Sequence, residues 1–367
     1  MPEDLEKEIK GVLSSTDLLA FPAALERAIF TRYQGFLQGV TLYQNSGYHR
    51  SLEPKPVVWS KGAARLLDYG TTENALPLLV IPSLVNRFYI LDLKADNSFL
   101  RWLAEQGFRP FVMDWGEPGP AEKDFGLDDY IGNYLSDALD TVRKITEVSP
   151  AVLGYCMGGT LAVALARLHP DKVSAAVFMA SPWDFHEGQA EGGVARLRAE
   201  ALVGLLPLVK LQKQLPSEIL QSLFASLDQT LSLRKFSAFN QMENHSRAAE
   251  NFVALEDWLN DGVPLTEKVA EECLRDWYGE NITGRGDWTI QRQKIRPDEL
   301  GVPALSIVSL KDRIVPAASS MALAKDLPDS ETIQTSLGHI GMTVSGAAQS
   351  KIWEPVAEWL CSKMKNK

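Results

Sequence analysis

Cys156 lies within the run AVLGYCMGGT, residues 151–160, and its neighbours are the residue types that reactive chemistry needs. Apolar residues lead in, Gly154 stands two positions before the cysteine and Gly158 two after, and a small, apolar stretch runs on to Leu168. That order reads as a strand, a tight turn and a helix. A nucleophile held at such a turn needs glycine on both sides, because a Cβ at either place would crowd strand against helix. The side chain then stands at the strand tip, where the backbone N–H of Met157 faces any negative charge that develops beside it. Cysteine is a better nucleophile than the serine usual at such turns. The bland alternative is a core cysteine in an ordinary strand-helix-strand unit, since free cysteine is among the most buried residue types.

A reactive cysteine needs a base, and the base needs a group to orient it. Of the five histidines, His49 lies in a Pro-rich lead-in, His169 at a helix end before Pro170, and His245 in a helical stretch, so all three read as ordinary. His186, just after SPWDF, could line a pocket at a strand mouth. His339 differs: it sits in SLGHIGM, a loop flanked by Gly338 and Gly341 that follows a possible strand. Asp312 follows the apolar strand VPALSIVSL, where a carboxylate can accept the imidazole N–H and fix the tautomer. The chain order Cys156, Asp312, His339 is the nucleophile, acid, histidine order of the α/β-hydrolase triad. The bland readings are a solvent-facing Asp312 and a packed His339. A second amide to hold an oxyanion is expected from Ser83 or Leu84, after the strand LPLLVI.

The elements that must position these groups are legible in the hydrophobic pattern. LPLLVIPSLVN (76–86) reads as a strand covered on both faces, and FRPFVMDWG (108–116), residues 151–153, VSAAVFMASPWDF (173–185) and VPALSIVSLKD (302–312) read as further strands, with helices between them, including one from Leu93 to Gln106. SETIQTSL reads as a possible further strand, and IWEPVAEWLCSKM as a closing helix. The expected fold is an α/β-hydrolase: a mostly parallel central sheet with a helical cap inserted over its carboxyl edge. The expected boundaries are a lead-in over 1–60, a core over 61–186 and 291–367, and a cap over 187–290. Helices are expected within residues 1–30, the second opened by Pro22. Trp258, Trp277 and Tyr278 read as core, and LVGLLPLVKL at 202–211 as either buried cap or a docking surface.

Composition narrows the function. A net charge of −10 disfavours nucleic acid, because phosphate binding needs a basic surface. The three cysteines form no CxxC pair, so neither a disulfide framework nor a metal site is expected, and no cofactor is called for. The acidic start and the lack of a long apolar run predict a cytoplasmic chain without a transmembrane segment.

Blocks beyond the cysteine turn carry a resemblance. VNRFYILDL (85–93), DWGEPGPAEKDFGLDDYI (114–131), GYCMGG (154–159), SPWDF (181–185), ENFVALEDWL (250–259), KDRIVPAASS (311–320) and GHIGMTVS (338–345) stand in the order seen in polyhydroxyalkanoate synthases. Over roughly residues 75–365 the chain resembles the catalytic subunit of that family, in particular its short, two-component class III form. The resemblance implies that Cys156 is the acylated nucleophile, His339 the base, and Asp312 the third member, which orients the base or helps to activate the incoming hydroxyl. It implies a (R)-3-hydroxyacyl-CoA substrate, 3-hydroxybutyryl foremost, a growing polyester as acceptor, and a location at polyester granules. It also implies a companion subunit or self-association. Arg313, where many longer synthases carry histidine, and Met157, where a smaller or polar residue is frequent, depart from the pattern. Two rivals share the residues: a cysteine-dependent thioesterase or polyester depolymerase, and a non-enzymatic granule-associated subunit.

Overall fold

A computed structural model describes residues 21–72, 75–187 and 194–364, with short pieces at 6–7 and 10–11. Of the helix expected ahead of Pro22 only residues 6–7 and 10–11 are described, and these are helical, while residues 188–193 near the start of the expected cap lie outside the described residues. The chain divides into two compact units, one formed by residues 51–222 with 258–367 and the other by residues 1–50 with 223–257.

The larger unit is built on an eight-stranded sheet. Its strands are β1 (Val57–Lys61), β2 (Ala64–Asp68), β3 (Leu76–Ile81), β4 (Phe108–Asp114), β5 (Ala151–Tyr155), β6 (Ala176–Met179), β7 (Ala304–Ser309) and β8 (Ser330–Thr335), in the spatial order β1-β2-β4-β3-β5-β6-β7-β8. β1, β2 and β4 pair antiparallel, and every pairing from β4 across to β8 is parallel. Every residue of β5, β6 and β7 is buried, which is why these strands read as continuous apolar runs rather than alternating ones. β5 lies between β3 and β6, so the turn after it opens at the centre of the carboxyl edge, where open α/β sheets place their chemistry.

Two local expectations give way. The stretch 93–106 is not one helix: Asp92–Lys94 and Asn97–Ser98 form a short hairpin, and only Phe99–Glu105 is helical. Buried Asp92 holds the hairpin, accepting hydrogen bonds from Tyr69 (2.7 Å), Ser98 (2.6 Å) and Arg101 (2.8 Å). Ser98 also caps the helix by accepting the Arg101 N–H, a role that keeps serine out of the helix interior. β2, written ARLLD, carries no alternation and was not anticipated as a strand, yet it fills the position between β1 and β4.

In the smaller unit, helix Phe21–Gln44 packs on helix Leu231–Phe239 through aromatic contacts. Phe236 lies 6.0 Å from Phe36, 5.8 Å from Tyr43 and 5.4 Å from Phe252, ring centre to ring centre, and Phe239 stacks on Phe252 at 4.3 Å. Gly39 permits the approach, since a Cβ there would fall on the Phe236 carbonyl oxygen. Thus residues 223–257 of the 187–290 stretch group with the N-terminal helix, and the remainder with the sheet. Within that remainder, the 202–211 run buries Val209 and leaves Leu211 81% exposed.

Candidate active site

Cys156 occupies the turn between β5 and helix Met157–Leu168 with φ 57° and ψ −131°, a left-handed backbone that costs a non-glycine residue of order 1–3 kcal/mol. The turn is held from both sides. The Cys156 N–H donates to the Met179 carbonyl at the end of β6 (2.9 Å), and the Gly159 N–H donates back to the Cys156 carbonyl (2.9 Å). The glycines are there for approach. A Cβ on Gly154 would lie 2.5 Å from the Gly158 carbonyl oxygen, one on Gly158 would fall on the Ile81 carbonyl, and one on Gly159 on the Ser181 hydroxyl.

Because the obstacles around Gly158 are backbone atoms of Ile81 and Pro82, Gly158→Ala forces β3 and the helix apart. We expect it to destabilise the protein by about 1–3 kcal/mol, read as a lower urea midpoint. An unchanged midpoint would show that the helix does not rest on this strand.

The contact at Gly158 also sets the start of the helix beside the loop that leaves β3. Ser83 and Leu84 are buried in that loop, which is pinned by the Trp115 indole donating to the Pro82 carbonyl (3.1 Å) and by the Val85 N–H donating to the Ser83 hydroxyl (3.3 Å). Further on, the Val263 N–H donates to the Val85 carbonyl (3.2 Å) and the Trp258 indole to that of Arg87 (2.8 Å). The amides of Met157, Ser83 and Leu84 thus belong to neighbouring backbones at the mouth of β5.

Asp312 lies three residues beyond β7 with its side chain 1% exposed. One carboxylate oxygen accepts the N–H groups of Ile314 (2.8 Å) and Val315 (2.9 Å), and the other contacts His339 Nδ1 at 2.6 Å. A carboxylate fixed by its own loop fixes the imidazole in turn. His339 is buried in the loop after β8, its ring 5.2 Å from that of Tyr155, whose hydroxyl donates to the His339 carbonyl (3.1 Å). The Cys156 side chain lies close enough to the imidazole to act on its charge. Burial alone would lower its pKa, but the negative charge of Cys156 and the Asp312 carboxylate outweigh burial and hold it up at about 10.

The three residues singled out from sequence therefore meet, each at the tip of its strand. The other histidines are placed elsewhere: His169 Nε2 contacts the Ser136 hydroxyl (2.8 Å), while His49 and His245 are exposed. His186 contacts the Tyr278 carbonyl through Nε2 (3.1 Å). Trp258 and Trp277 are buried as expected, whereas Tyr278 is half-buried and close enough to Cys156 for a thiolate there to disfavour its ionisation. Sequence reasoning missed this neighbour, because an aromatic residue on a helical stretch looks like core.

Comparison with known proteins places this geometry. A model of the alpha/beta hydrolase fold matches residues 77–339, and one of the poly-beta-hydroxybutyrate polymerase (PhaC) N-terminus matches residues 47–103. The poly(3-hydroxyalkanoate) polymerase subunit PhaC of Synechocystis is 31% identical, the match covering 84% of this chain and 85% of that one. The chain belongs to the poly(3-hydroxyalkanoate) polymerase family. The PhaC subunit of Allochromatium vinosum is 29% identical, with 84% and 88% covered. That of Haloferax mediterranei is 33% identical over 84% of this chain, which spans 64% of that longer subunit. Among solved structures, the monoacylglycerol lipase of Paleococcus ferrophilus superposes with a TM-score of 0.54 at 15% identity, covering 82% of this chain and 99% of the lipase. That likeness shows the shared fold alone. At its strand-to-helix turn this chain carries a cysteine, where such a nucleophile turn ordinarily carries serine.

Proposed function

We propose that this chain is the catalytic subunit of a polyhydroxyalkanoate synthase. In this reading it moves a (R)-3-hydroxyacyl group, 3-hydroxybutyryl foremost, from a CoA thioester to Cys156 and on to the hydroxyl end of a growing polyester. The observation that carries the reading is a thiol at the glycine-packed turn, within electrostatic reach of a buried histidine that a buried aspartate orients, in a chain of the polymerase family.

The chemistry follows from the groups. The Cys156 thiolate attacks the thioester carbonyl, charge gathers on the carbonyl oxygen beside the amides of Met157 and Ser83 or Leu84, and the bond to the CoA sulfur breaks. His339, held protonated by its two negative neighbours, gives its proton to the departing CoA thiolate. Acylation removes the thiolate charge that raised the histidine, so the neutral imidazole can now accept a proton. It takes that of the incoming hydroxyl, the oxygen attacks the acyl-cysteine, and the thiolate leaves as the new ester forms. One thioester is exchanged for another before the oxoester is made, and the CoA carried by the substrate is the only coenzyme involved. Water must be kept from the acyl-cysteine, which gives the helical segments over the sheet edge a role.

A companion subunit or a second copy is part of the proposal. Ile29, Phe30, Tyr33 and Leu37 leave apolar surface exposed on helix Phe21–Gln44, where a second chain could pack. The site of action is the surface of a polyester granule in the cytoplasm. Among the described residues no helix is long and apolar enough to cross a membrane.

The test is to incubate the purified chain with 3-hydroxybutyryl-CoA, with and without the product of a neighbouring gene, following CoA release and turbidity together. Insoluble polyester with CoA is expected, after a lag that the companion removes. Free hydroxy acid with CoA would instead identify a thioesterase, and no CoA release in either arm would leave a non-enzymatic subunit. The relatives do not favour either of these alternatives.

A further inference from the structure

Tyr278 is a polar side chain that the mechanism above does not use. It lies on Glu272–Gly279, a π-helical segment, a geometry that recurs at functional sites. The segment is anchored at both ends, to the start of helix Leu127–Asp129 and to the loop that continues β6. At its start the Glu272 carboxylate accepts the Leu127 N–H (2.7 Å). Just past its end the Asn281 side chain accepts the Phe185 N–H (2.8 Å) and donates to the Asp184 carboxylate (2.9 Å). Phe185 belongs to the loop that continues β6, and its ring packs against Trp277 at 5.5 Å and edge-on against Tyr278 at 4.9 Å. Because the last residue of β6 is hydrogen-bonded to Cys156, one rigid run of contacts links the tyrosine to the nucleophile.

A phenol packed among aromatic rings ordinarily finds a hydrogen-bond partner. The Tyr278 hydroxyl has none among the described residues. Burial first, and then the charges of Cys156 and Cys273, push its pKa upward, so it stays a donor and cannot serve as a base. Its side of the site is also distinct. Ser83 and Leu84 follow β3 on one flank of β5, whereas Tyr278 is packed on the loop after β6 on the other. With the acyl carbonyl oxygen turned to the amides on the first flank, the oxygen left for the second is the one borne by C3 of the acyl chain.

We propose, resting on the synthase reading above, that the Tyr278 hydroxyl donates a hydrogen bond to the C3 oxygen of the acyl group on Cys156 and so selects 3-hydroxyacyl over plain acyl thioesters. A site that hydrogen-bonds a substrate hydroxyl discriminates against the analogue lacking it.

The experiment compares the wild-type chain with Tyr278→Phe in single-turnover acylation by 3-hydroxybutyryl-CoA and by butyryl-CoA, read as CoA release. Tyr278→Phe is expected to slow the hydroxylated substrate roughly tenfold, the worth of one hydrogen bond, and to leave the butyryl reaction unchanged. Tyr278→His, which keeps a ring with a donor, is expected to recover part of the preference. Equal losses on both substrates, or no loss on either, would overturn the assignment while leaving the synthase reading intact. If the wild-type chain releases CoA from neither thioester, the synthase reading falls, and the role of Tyr278 falls with it.

Discussion

Cys156→Ala should release no CoA beyond background and make no polymer, and Cys156→Ser should fall at least ~10³-fold below the wild-type rate, as removal of a nucleophile does elsewhere. Both losses are chemical rather than structural. The turn is held by backbone hydrogen bonds to Met179 and within the helix start, which neither substitution touches. Serine keeps the shape of the side chain but changes two steps. Its hydroxyl is a weaker nucleophile toward the first thioester, and the oxoester it would form passes the chain on poorly, since the thioester driving force has been spent one step early. Urea unfolding of both variants should match wild type. Substantial polymer from Cys156→Ala would remove the cysteine from the reaction.

His339→Gln should cost at least ~10²-fold, because one group both protonates the departing CoA and deprotonates the incoming hydroxyl. Its pH behaviour is the sharper signature. The folded-state pKa of about 10 lies above the ordinary 6.5, so the histidine contributes stability fully below pH 6.5. That contribution is lost as pH rises through about 10. Wild-type stability should therefore decline between neutral and alkaline pH, and His339→Gln should flatten that slope. Asp312→Asn keeps an oxygen for the Ile314 and Val315 N–H groups but removes a charge that helps hold the imidazolium. The decline should then begin at lower pH, and chain elongation should suffer more than first acylation. Equal and mild losses from both substitutions would place neither residue in the reaction.

What could be read from the sequence, and what could not, divides along physical lines. β3, β5, β6 and β7 are buried on both faces, and such strands announce themselves as apolar runs. The turn at Cys156 was legible because its glycines answer to a backbone collision, which only a few residue types can relieve. Asp312 and His339 were legible by their place at strand ends and by chain order. β2 was not, since ARLLD is equally at home in a helix and becomes a strand only through its antiparallel neighbours. The 92–98 hairpin was hidden for a similar reason: the buried Asp92 that holds it draws on Tyr69, more than twenty residues away. Tyr278 could not be separated from Trp277 by pattern. Both pack on Phe185, Trp277 is buried while Tyr278 stays half-buried within electrostatic reach of Cys156, and adjacent positions on one helical stretch carry no mark of that difference.

The central claim is that the acyl group resides on Cys156. The most direct measurement is peptide mass spectrometry of the chain quenched after a brief pulse of 3-hydroxybutyryl-CoA. The predicted result is a 3-hydroxybutyryl adduct on the peptide containing Cys156, absent from Cys156→Ala and chased away by further substrate. An adduct on Cys273 or Cys361 instead, or polymer formed with Cys156 never modified, would contradict the account.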